Sequence, residues 1–277
     1  MMKPLITIVL AIIPILASAG SQNAMQSCFS DKIAAQKSTP NVEMFIVVDQ
    51  TTQFDNGLKQ SIANNIRPFI KAGNAISVVE FSAFMQGHYT DVLVSLNLDQ
   101  EISQDQRSDI SKPLLSNFDQ CQANQPRKAS QLVGVALKSA FKNSSNGIEK
   151  SDILASLKDI STKVRQSQAK RKIVLLASDM LENSSISSFY SKHAVRQISP
   201  DQELALVKKS NLFGDFGKAE IYIIGAGLLD ENPKDNTKIY RSPLVMNALS
   251  DFWKDWFKKS NATMIEFGQP ALLNSIE

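Results

Sequence analysis

The chain has 277 residues, with 30 lysine and arginine against 27 aspartate and glutamate side chains. Because these charges are spread without long blocks of one sign, the composition gives no support to a nucleic-acid partner. The length suffices for a sizeable core, and the lack of a Pro- or Ser-rich linker predicts a single α/β domain over residues 41–277.

The first 19 residues predict a secretory signal peptide. Lys3 is followed by the apolar run Leu5 to Leu16 and then by Ala17-Ser18-Ala19. The run of about 12 residues is shorter than the roughly 20 needed to span a bilayer, and it ends in small residues suited to cleavage. An uncleaved membrane anchor is the alternative. We therefore expect a periplasmic or secreted protein that has no membrane span after cleavage.

The chain contains two cysteines, Cys28 and Cys121. In an exported protein, an even pair of cysteines forms a disulfide more often than a metal site or a catalytic thiol. Such a bridge would tie the N-terminal segment, residues 20–40, to the body of the domain. A pair of free thiols is the alternative.

Strands and helices alternate along the chain, which predicts a sheet covered by helices on both faces. The first strand is predicted from Val42 to Asp49, and apolar residues at steps of three and four then predict a helix that Pro68 bends or ends. A second buried strand follows from Ala75 to Phe84. The alternation of polar and apolar residues from Tyr89 to Leu98 predicts an edge strand, in antiparallel pairing.

The second half of the chain continues this alternation. Its predicted elements, in order, are helices over Leu132 to Phe141 and Ile153 to Val164, a buried strand ending at Asp179, a strand over Glu220 to Ile224, a helix over Ser242 to Lys259 and a last strand over Thr263 to Phe267. Together they predict an α/β fold with a Rossmann-like, doubly wound, mostly parallel sheet that has one antiparallel edge strand.

Residues 181–217 are too many for an ordinary connection between a strand and its next helix, so we interpret them as an insertion. Long insertions at the ligand-binding edge of a sheet usually carry function. This one contains a short predicted helix around Leu204 to Lys208. A packed excursion with no ligand of its own is the alternative.

Three short patterns predict structural roles. Lys170-Arg171-Lys172 precedes a buried strand, which is typical of the solvated end of such an element. Gly225-Ala226-Gly227 follows a strand and predicts a tight turn. The segment Phe252-Trp253-Lys254-Asp255-Trp256-Phe257 holds two aromatic pairs at helical spacing, which favours core packing over a recognition groove.

Two of the apolar runs stop at an aspartate, Asp49 near the start and Asp179 in the middle of the chain. In an open parallel sheet, ligands bind in the crevice outside the carboxyl ends of the strands. The pairing therefore predicts a carboxylate site at one edge of the sheet. Both aspartates could instead cap the helices that follow them.

The sequence Asp49-Gln50-Thr51-Thr52-Gln53 resembles the von Willebrand factor A family, whose metal-dependent adhesion site begins with Asp-x-Ser-x-Ser after the first strand. Thr51 matches the first hydroxyl position, whereas Gln53 replaces the second hydroxyl with an amide. Asp179 stands where the family has a later aspartate. Ser130 offers a hydroxyl near the place where the family has a threonine in a loop ahead of a helix.

The resemblance implies a von Willebrand factor A-like fold and a site for Mg²⁺, or Mn²⁺ or Ca²⁺, because such ions prefer hard oxygen ligands. The implied ligands are Asp49, Thr51, Gln53, Ser130 and Asp179. It also implies a non-enzymatic protein that binds a protein partner, an acidic side chain of which completes the metal shell. The alternatives are a metal-dependent hydrolase that uses Asp49 and Asp179, and a structural subunit of an envelope assembly with a vestigial site.

Overall fold

The computed structural model describes residues 24–33, 39–84, 87–143, 151–191, 194–229 and 242–277. The predicted signal peptide and part of the N-terminal segment lie outside these residues, so the structure does not bear on them.

A mixed sheet lies at the centre of the fold. Its strands are β1 (Val42–Asp49), β2 (Ala75–Phe84), β3 (Gly87–Asn97), β4 (Arg171–Ala177), β7 (Ala219–Ile224) and β8 (Ala262–Phe267), and their spatial order is β3-β2-β1-β4-β7-β8. Among the described strands of this sheet, β3 alone pairs antiparallel, because two residues separate it from β2 and a parallel pair needs a longer crossover. The predicted α/β fold with one antiparallel edge strand is confirmed.

Helices cover both faces of this sheet. They are α1 (Asn56–Ile66), α2 (Gln104–Ser108), α3 (Lys112–Asn143), α4 (Ile153–Gln166), α5 (Pro200–Lys209) and α6 (Pro243–Lys259). Asp55 caps α1 by accepting a hydrogen bond from the Leu58 amide at 2.7 Å, and Pro68 lies in the 3₁₀ turn that follows this helix, as predicted. Each predicted helix is present, but α3 begins about twenty residues before the predicted start at Leu132.

Strand β1 shows why the central strands of the sheet are continuous apolar runs in the sequence. Its side chains alternate between two cores, with Met44 and Ile46 on the face covered by α1 and α3, and Phe45 and Val47 on the face covered by α4 and α6. Both faces are buried from Met44 to Val48, so every position in that range is apolar.

The aromatic pairs of α6 belong to the core. Phe252, Trp253, Trp256 and Phe257 are each fully buried, and the Trp253 indole donates a hydrogen bond to the Met180 carbonyl at 2.9 Å. The predicted packing role is therefore confirmed. Because Met180 directly follows Asp179, this contact also fixes the chain at the end of β4.

The predicted disulfide is present between Cys28 and Cys121, whose Cα atoms are 5.7 Å apart and which are 93 residues apart in sequence. The Asp99 carboxylate holds the same segment by accepting hydrogen bonds from the Ser27 hydroxyl at 3.0 Å and the Cys28 amide at 2.6 Å. The segment thus packs beside β3, where the Ala24 amide donates to the main chain of the edge strand.

Two members of the basic cluster at the start of β4 are paired with other side chains of the protein. The Arg171 guanidinium contacts the Glu220 carboxylate at 2.6 Å, and the Lys170 ammonium donates to the Asn41 side chain at 3.1 Å. This confirms the structural interpretation of these charges.

In the part of the chain that the structure describes, every helix is too short or too polar to span a bilayer.

The insertion is packed against the body of the fold, and all of it is described except residues 192–193. It contains the small hairpin β5 (Tyr190–Ser191) and β6 (Ala194–Val195), and then α5. Within the insertion, the Arg196 guanidinium joins the hairpin to α5 by donating to the Ser188 carbonyl and to the Glu203 carboxylate, each at 2.6 Å.

Candidate functional site

Asp49 lies at the carboxyl end of β1, fully buried, and both of its carboxylate oxygens accept hydrogen bonds. Oδ1 accepts from the Thr51 amide at 2.9 Å and the Thr51 hydroxyl at 2.6 Å, and Oδ2 accepts from the Ser178 hydroxyl at 2.7 Å. Ser178 directly follows β4, the neighbour of β1. The two strand ends therefore meet at one edge of the sheet, as the pair of aspartates predicted.

Burial dominates the electrostatics of Asp49. Removal from water raises the pKa of this carboxyl, because the charged form loses hydration. The hydrogen bonds from Thr51 and Ser178 oppose that rise by favouring the carboxylate. Any cation that binds here would oppose it further, since a nearby positive charge also favours the carboxylate.

Ser151 brings a second hydroxyl to the site from the segment directly ahead of α4. Its Oγ lies 3.1 Å from the Thr51 Oγ1 although the two residues are 100 positions apart. Two main-chain hydrogen bonds with Asn183, at 2.8 and 3.1 Å, hold Ser151 in place. Sequence reasoning missed this residue, but a usable signal existed: Ser151-Asp152 stands directly before the apolar stripe of α4, and Asp152 caps that helix.

Two predicted ligands do not join this cluster. Ser130 lies in the interior of α3, exposed, and its hydroxyl donates to the Pro126 carbonyl one turn earlier at 2.8 Å, as helical serines often do. The expectation of a loop ahead of a helix is thus wrong for Ser130, because α3 starts long before it. Gln53 lies in the loop between β1 and α1 with an exposed side chain.

Asp179 follows β4 and is also bonded on both carboxylate oxygens. Oδ1 accepts from the Leu181 amide and Oδ2 from the Tyr190 hydroxyl, each at 2.8 Å. Its own amide donates to the Thr52 hydroxyl at 3.1 Å, and its carbonyl accepts from Gly227 at 2.8 Å. The loop after β1, the insertion and the glycine turn after β7 therefore position this aspartate together.

The glycine turn that supports Asp179 has the conformation that the sequence predicted. Gly225 and Gly227 have φ angles of 106° and 71°, in the region that side chains rarely adopt. A Cβ at position 225 would lie 3.0 Å from the Ser178 carbonyl. The close approach of this turn to the end of β4 therefore requires glycine.

Glu182, within the insertion, is a third buried carboxyl of this region. Its Oε2 accepts a hydrogen bond from the Leu154 amide at the start of α4 at 3.0 Å, while Oε1 has no hydrogen-bond partner among the described residues. Burial raises the pKa of Glu182 to about 8, and the negative charge of Asp152 adds to the rise. No sequence pattern marked this glutamate.

The oxygen atoms at this edge suit a hard divalent cation. Within the described ranges, no group of three or more His, Cys, Asp or Glu side chains is arranged to hold a metal, so hydroxyls would have to contribute. A hydroxyl that donates its proton to a carboxylate keeps lone pairs for another contact. Neighbouring ligands of octahedral Mg²⁺ lie about 3.0 Å apart for metal–oxygen distances of about 2.1 Å, and the 3.1 Å between Thr51 and Ser151 fits that spacing.

No protein-family model matches this chain, and no curated protein matches it in sequence. Several solved structures resemble part of its arrangement, and three of them illustrate the likeness. An aerotolerance-related membrane protein from Bacteroides fragilis is 10% identical over 82% of this chain and 92% of its own, with a TM-score of 0.34. The pilus adhesin SpaC from Lactobacillus rhamnosus GG is 14% identical over 84% of this chain and 25% of its own, with a TM-score of 0.32.

The third structure, the N-terminal domain of TFIIH p34, is 10% identical over 83% of this chain and 93% of its own, with a TM-score of 0.29. Likenesses of this size carry no information on function. The fold is therefore defined by its own sheet: six described strands, mostly parallel, with an antiparallel edge pair and helices on both faces.

Proposed function

We propose that this chain is a non-enzymatic, von Willebrand factor A-like domain that binds a protein partner through a divalent cation at the carboxyl edge of its sheet. Asp49, Thr51 and Ser151 would hold the cation, which we expect to be Mg²⁺, with Mn²⁺ or Ca²⁺ as alternatives. The observation that carries the proposal is the 3.1 Å separation of the Thr51 and Ser151 hydroxyl oxygens beside the Asp49 carboxylate.

The kind of partner follows from the coordination positions of the cation that Asp49, Thr51 and Ser151 do not fill. A bound cation would supply positive charge and free coordination positions, because one carboxylate and two hydroxyls do not complete its shell. An acidic side chain from a protein partner meets that need. Asp49 and Ser151 are buried whereas Thr51 is half-buried, so we place the approach of the partner on the Thr51 side.

We propose binding rather than turnover because of how the aspartates are bonded. A metal-dependent hydrolase would use the cation to activate water, and it would also need a base to take up the proton, for which Asp49 and Asp179 are the candidates at this edge. Each of these carboxylates already accepts hydrogen bonds from the protein on both oxygens. They are thus better suited to orient other groups than to take up a proton.

We also propose that the protein is exported, to the periplasm or out of the cell. The Cys28–Cys121 disulfide supports this, since disulfides persist in oxidising compartments. Mass spectrometry of the N terminus, on protein expressed with its leader, should find a chain that begins near residue 20. A mature chain that still begins at Met1 would contradict cleavage.

A second candidate function has a specific observation in its favour. Because all four oxygens of Asp49 and Asp179 accept hydrogen bonds from the protein, the two aspartates could serve only to hold the loops of a structural subunit in an envelope assembly. In that case the metal site is vestigial and the insertion makes the contacts with other subunits.

Thermal unfolding with Mg²⁺, Mn²⁺ or Ca²⁺, against a chelator, separates the two candidates, because a ligand that binds only the folded state raises its stability. At a cation concentration 100 times the Kd the gain is about 2.7 kcal/mol. Ser151→Ala and Thr51→Val each remove one hydroxyl oxygen and should reduce the gain. Ser130→Ala removes a hydroxyl that bonds only within α3, and it serves as the matched control.

A rise in melting temperature that Ser130→Ala retains and Ser151→Ala loses supports the cation-dependent binding domain. No rise with any of the three cations, in the native chain and in all variants, would contradict it and favour the structural subunit. A rise that all variants share would place the cation elsewhere on the chain, which also overturns the proposal.

A further inference from the structure

The two aspartates of the site accept hydrogen bonds from different parts of the chain. Asp49 accepts from the hydroxyls of Thr51 and Ser178, which belong to the strand ends themselves. Asp179 accepts on Oδ2 from the phenol of Tyr190, which belongs to the insertion. Asp179, unlike Asp49, therefore accepts a hydrogen bond from a residue of the insertion, which is not part of the sheet.

Tyr190 is held in this position by the contacts of the residue before it. The preceding residue, Phe189, is fully buried and packs edge-on against Phe252, with ring centroids 5.1 Å apart. The Phe189 amide donates to the Glu182 carbonyl at 2.7 Å, and its carbonyl accepts from the Arg196 amide at 2.7 Å. With the backbone fixed at Phe189, the neighbouring phenol is presented to Asp179 with little loss of conformational entropy.

The contact has a direct consequence for anything that would use Asp179. A carboxylate oxygen that accepts from a phenol at 2.8 Å has its charge partly offset and one lone-pair direction filled. A cation, or a water bound to it, would compete with that phenol for the oxygen. Release of Tyr190 would remove this competing donor from Oδ2 and leave the oxygen more able to contact a cation.

We propose that Tyr190 is a built-in competitor that sets the cation affinity of this site: its hydroxyl occupies the Asp179 carboxylate, and the insertion must release it before Asp179 can contribute to cation binding. This inference rests on the proposed function and adds a specificity-determining residue to it. The insertion then acts on the site directly, and a partner that displaces the β5–β6 hairpin strengthens cation binding.

The test is a cation titration of Tyr190→Phe, which removes one oxygen atom and keeps the ring. Mn²⁺ binding, measured by calorimetry, should become roughly ten- to a hundredfold tighter, the range expected when a competing hydrogen bond to a charged group is lost. Tyr222→Phe is the matched control, because the Tyr222 phenol contacts Glu220 at 3.4 Å within β7 and should leave the Kd unchanged.

A second readout follows the phenol itself. Addition of Mn²⁺ to the native chain should change the near-ultraviolet absorption of tyrosine as the Tyr190 hydroxyl leaves Asp179. That change should vanish in Tyr190→Phe and persist in Tyr222→Phe. A purely structural role would lower the melting temperature of Tyr190→Phe without producing either result.

Unchanged or weaker Mn²⁺ binding in Tyr190→Phe, with binding by the native chain intact and lost in Ser151→Ala, would overturn this inference and leave the proposed function standing. Binding that appears only in Tyr190→Phe would support the competitor role of Tyr190, but it would contradict the proposed function of the native chain. Absence of binding in both proteins would overturn the inference together with the cation site.

Discussion

Glu182 offers a sharp test of how burial controls the charges at this edge. Its Oε2 accepts from the Leu154 amide at 3.0 Å, and its other oxygen has no hydrogen-bond partner among the described residues. Glu182→Gln keeps the shape and the acceptor for Leu154 but removes the titration. The variant should therefore have a weaker dependence of stability on pH.

The sign and size follow from the pKa of Glu182, which burial raises from 4.5 to about 8. Between these values the folded state binds more protons than the unfolded state, so the free energy of unfolding falls as pH rises, and the fall ends above the folded pKa. Each pH unit in this window is worth about 1.4 kcal/mol. The native chain should thus lose on the order of 4 kcal/mol between pH 5 and pH 8, as an upper value.

Urea unfolding of the native chain and of Glu182→Gln at pH 5, 6, 7 and 8 measures the effect. The difference between the two proteins should be smallest at pH 5 and should grow in favour of Glu182→Gln toward pH 8. The buried Asp49, whose pKa is also raised, is present in both proteins and cancels in the difference. Parallel stability curves would refute the account of Glu182 as a carboxyl held neutral by burial.

A comparison with Glu182→Leu isolates the hydrogen bond to α4, since an apolar side chain at this position would leave the Leu154 amide without its acceptor. We expect Glu182→Leu to be about 1 to 3 kcal/mol less stable than Glu182→Gln at pH 5. Equal stability of the two variants at that pH would show that the contact with α4 contributes nothing.

Three further predictions concern the frame around the site. Cys121→Ser opens a bridge that spans 93 residues and should cost about 4 to 5 kcal/mol in urea unfolding, with no further loss when a reductant is added. Gly225→Ala places a Cβ at φ 106° and 2.8 Å from the ring of Phe54, so its melting temperature should fall by several degrees relative to Gly134→Ala, where the space is open. Arg196→Met leaves the buried Glu203 without its charge partner and should cost about 1 to 3 kcal/mol, because the Arg196 side chain is 37% exposed. Exchange of amide hydrogens in the β5–β6 hairpin should also rise. Wild-type stability in any of these variants would contradict the corresponding contact.

The sequence predicted the sheet because its signals are local. The apolar runs that end at Asp49 and after Ala177 reflect strands buried on both faces, and a two-residue connection leaves only antiparallel pairing for β3. The first half of α3 was not predicted because its sequence lacks a clear apolar stripe. Its buried Phe118 packs in a small separate cluster with Ile33 and Ile102 instead of along the sheet, so the apolar stripe is weak there.

The site was predicted only in part, because its geometry depends on contacts between distant segments. Asp49, Thr51 and Asp179 follow the ends of strands, and their meeting at one edge follows from parallel pairing. Ser151 reaches Thr51 across 100 residues, and Tyr190 reaches Asp179 through the fold of the insertion. No periodicity or local motif encodes these two contacts, although the hydroxyl ahead of the α4 cap was visible in the sequence.

The central claim is that the oxygens of Asp49, Thr51 and Ser151 form one cation site, and the most direct measurement is Mn²⁺ binding by electron paramagnetic resonance of the native chain, Ser151→Ala and Ser130→Ala. We expect the native chain and Ser130→Ala to bind Mn²⁺ with the same affinity and Ser151→Ala to bind it at least tenfold more weakly. Equal affinity in all three proteins, or no bound Mn²⁺ in any of them, would contradict the claim.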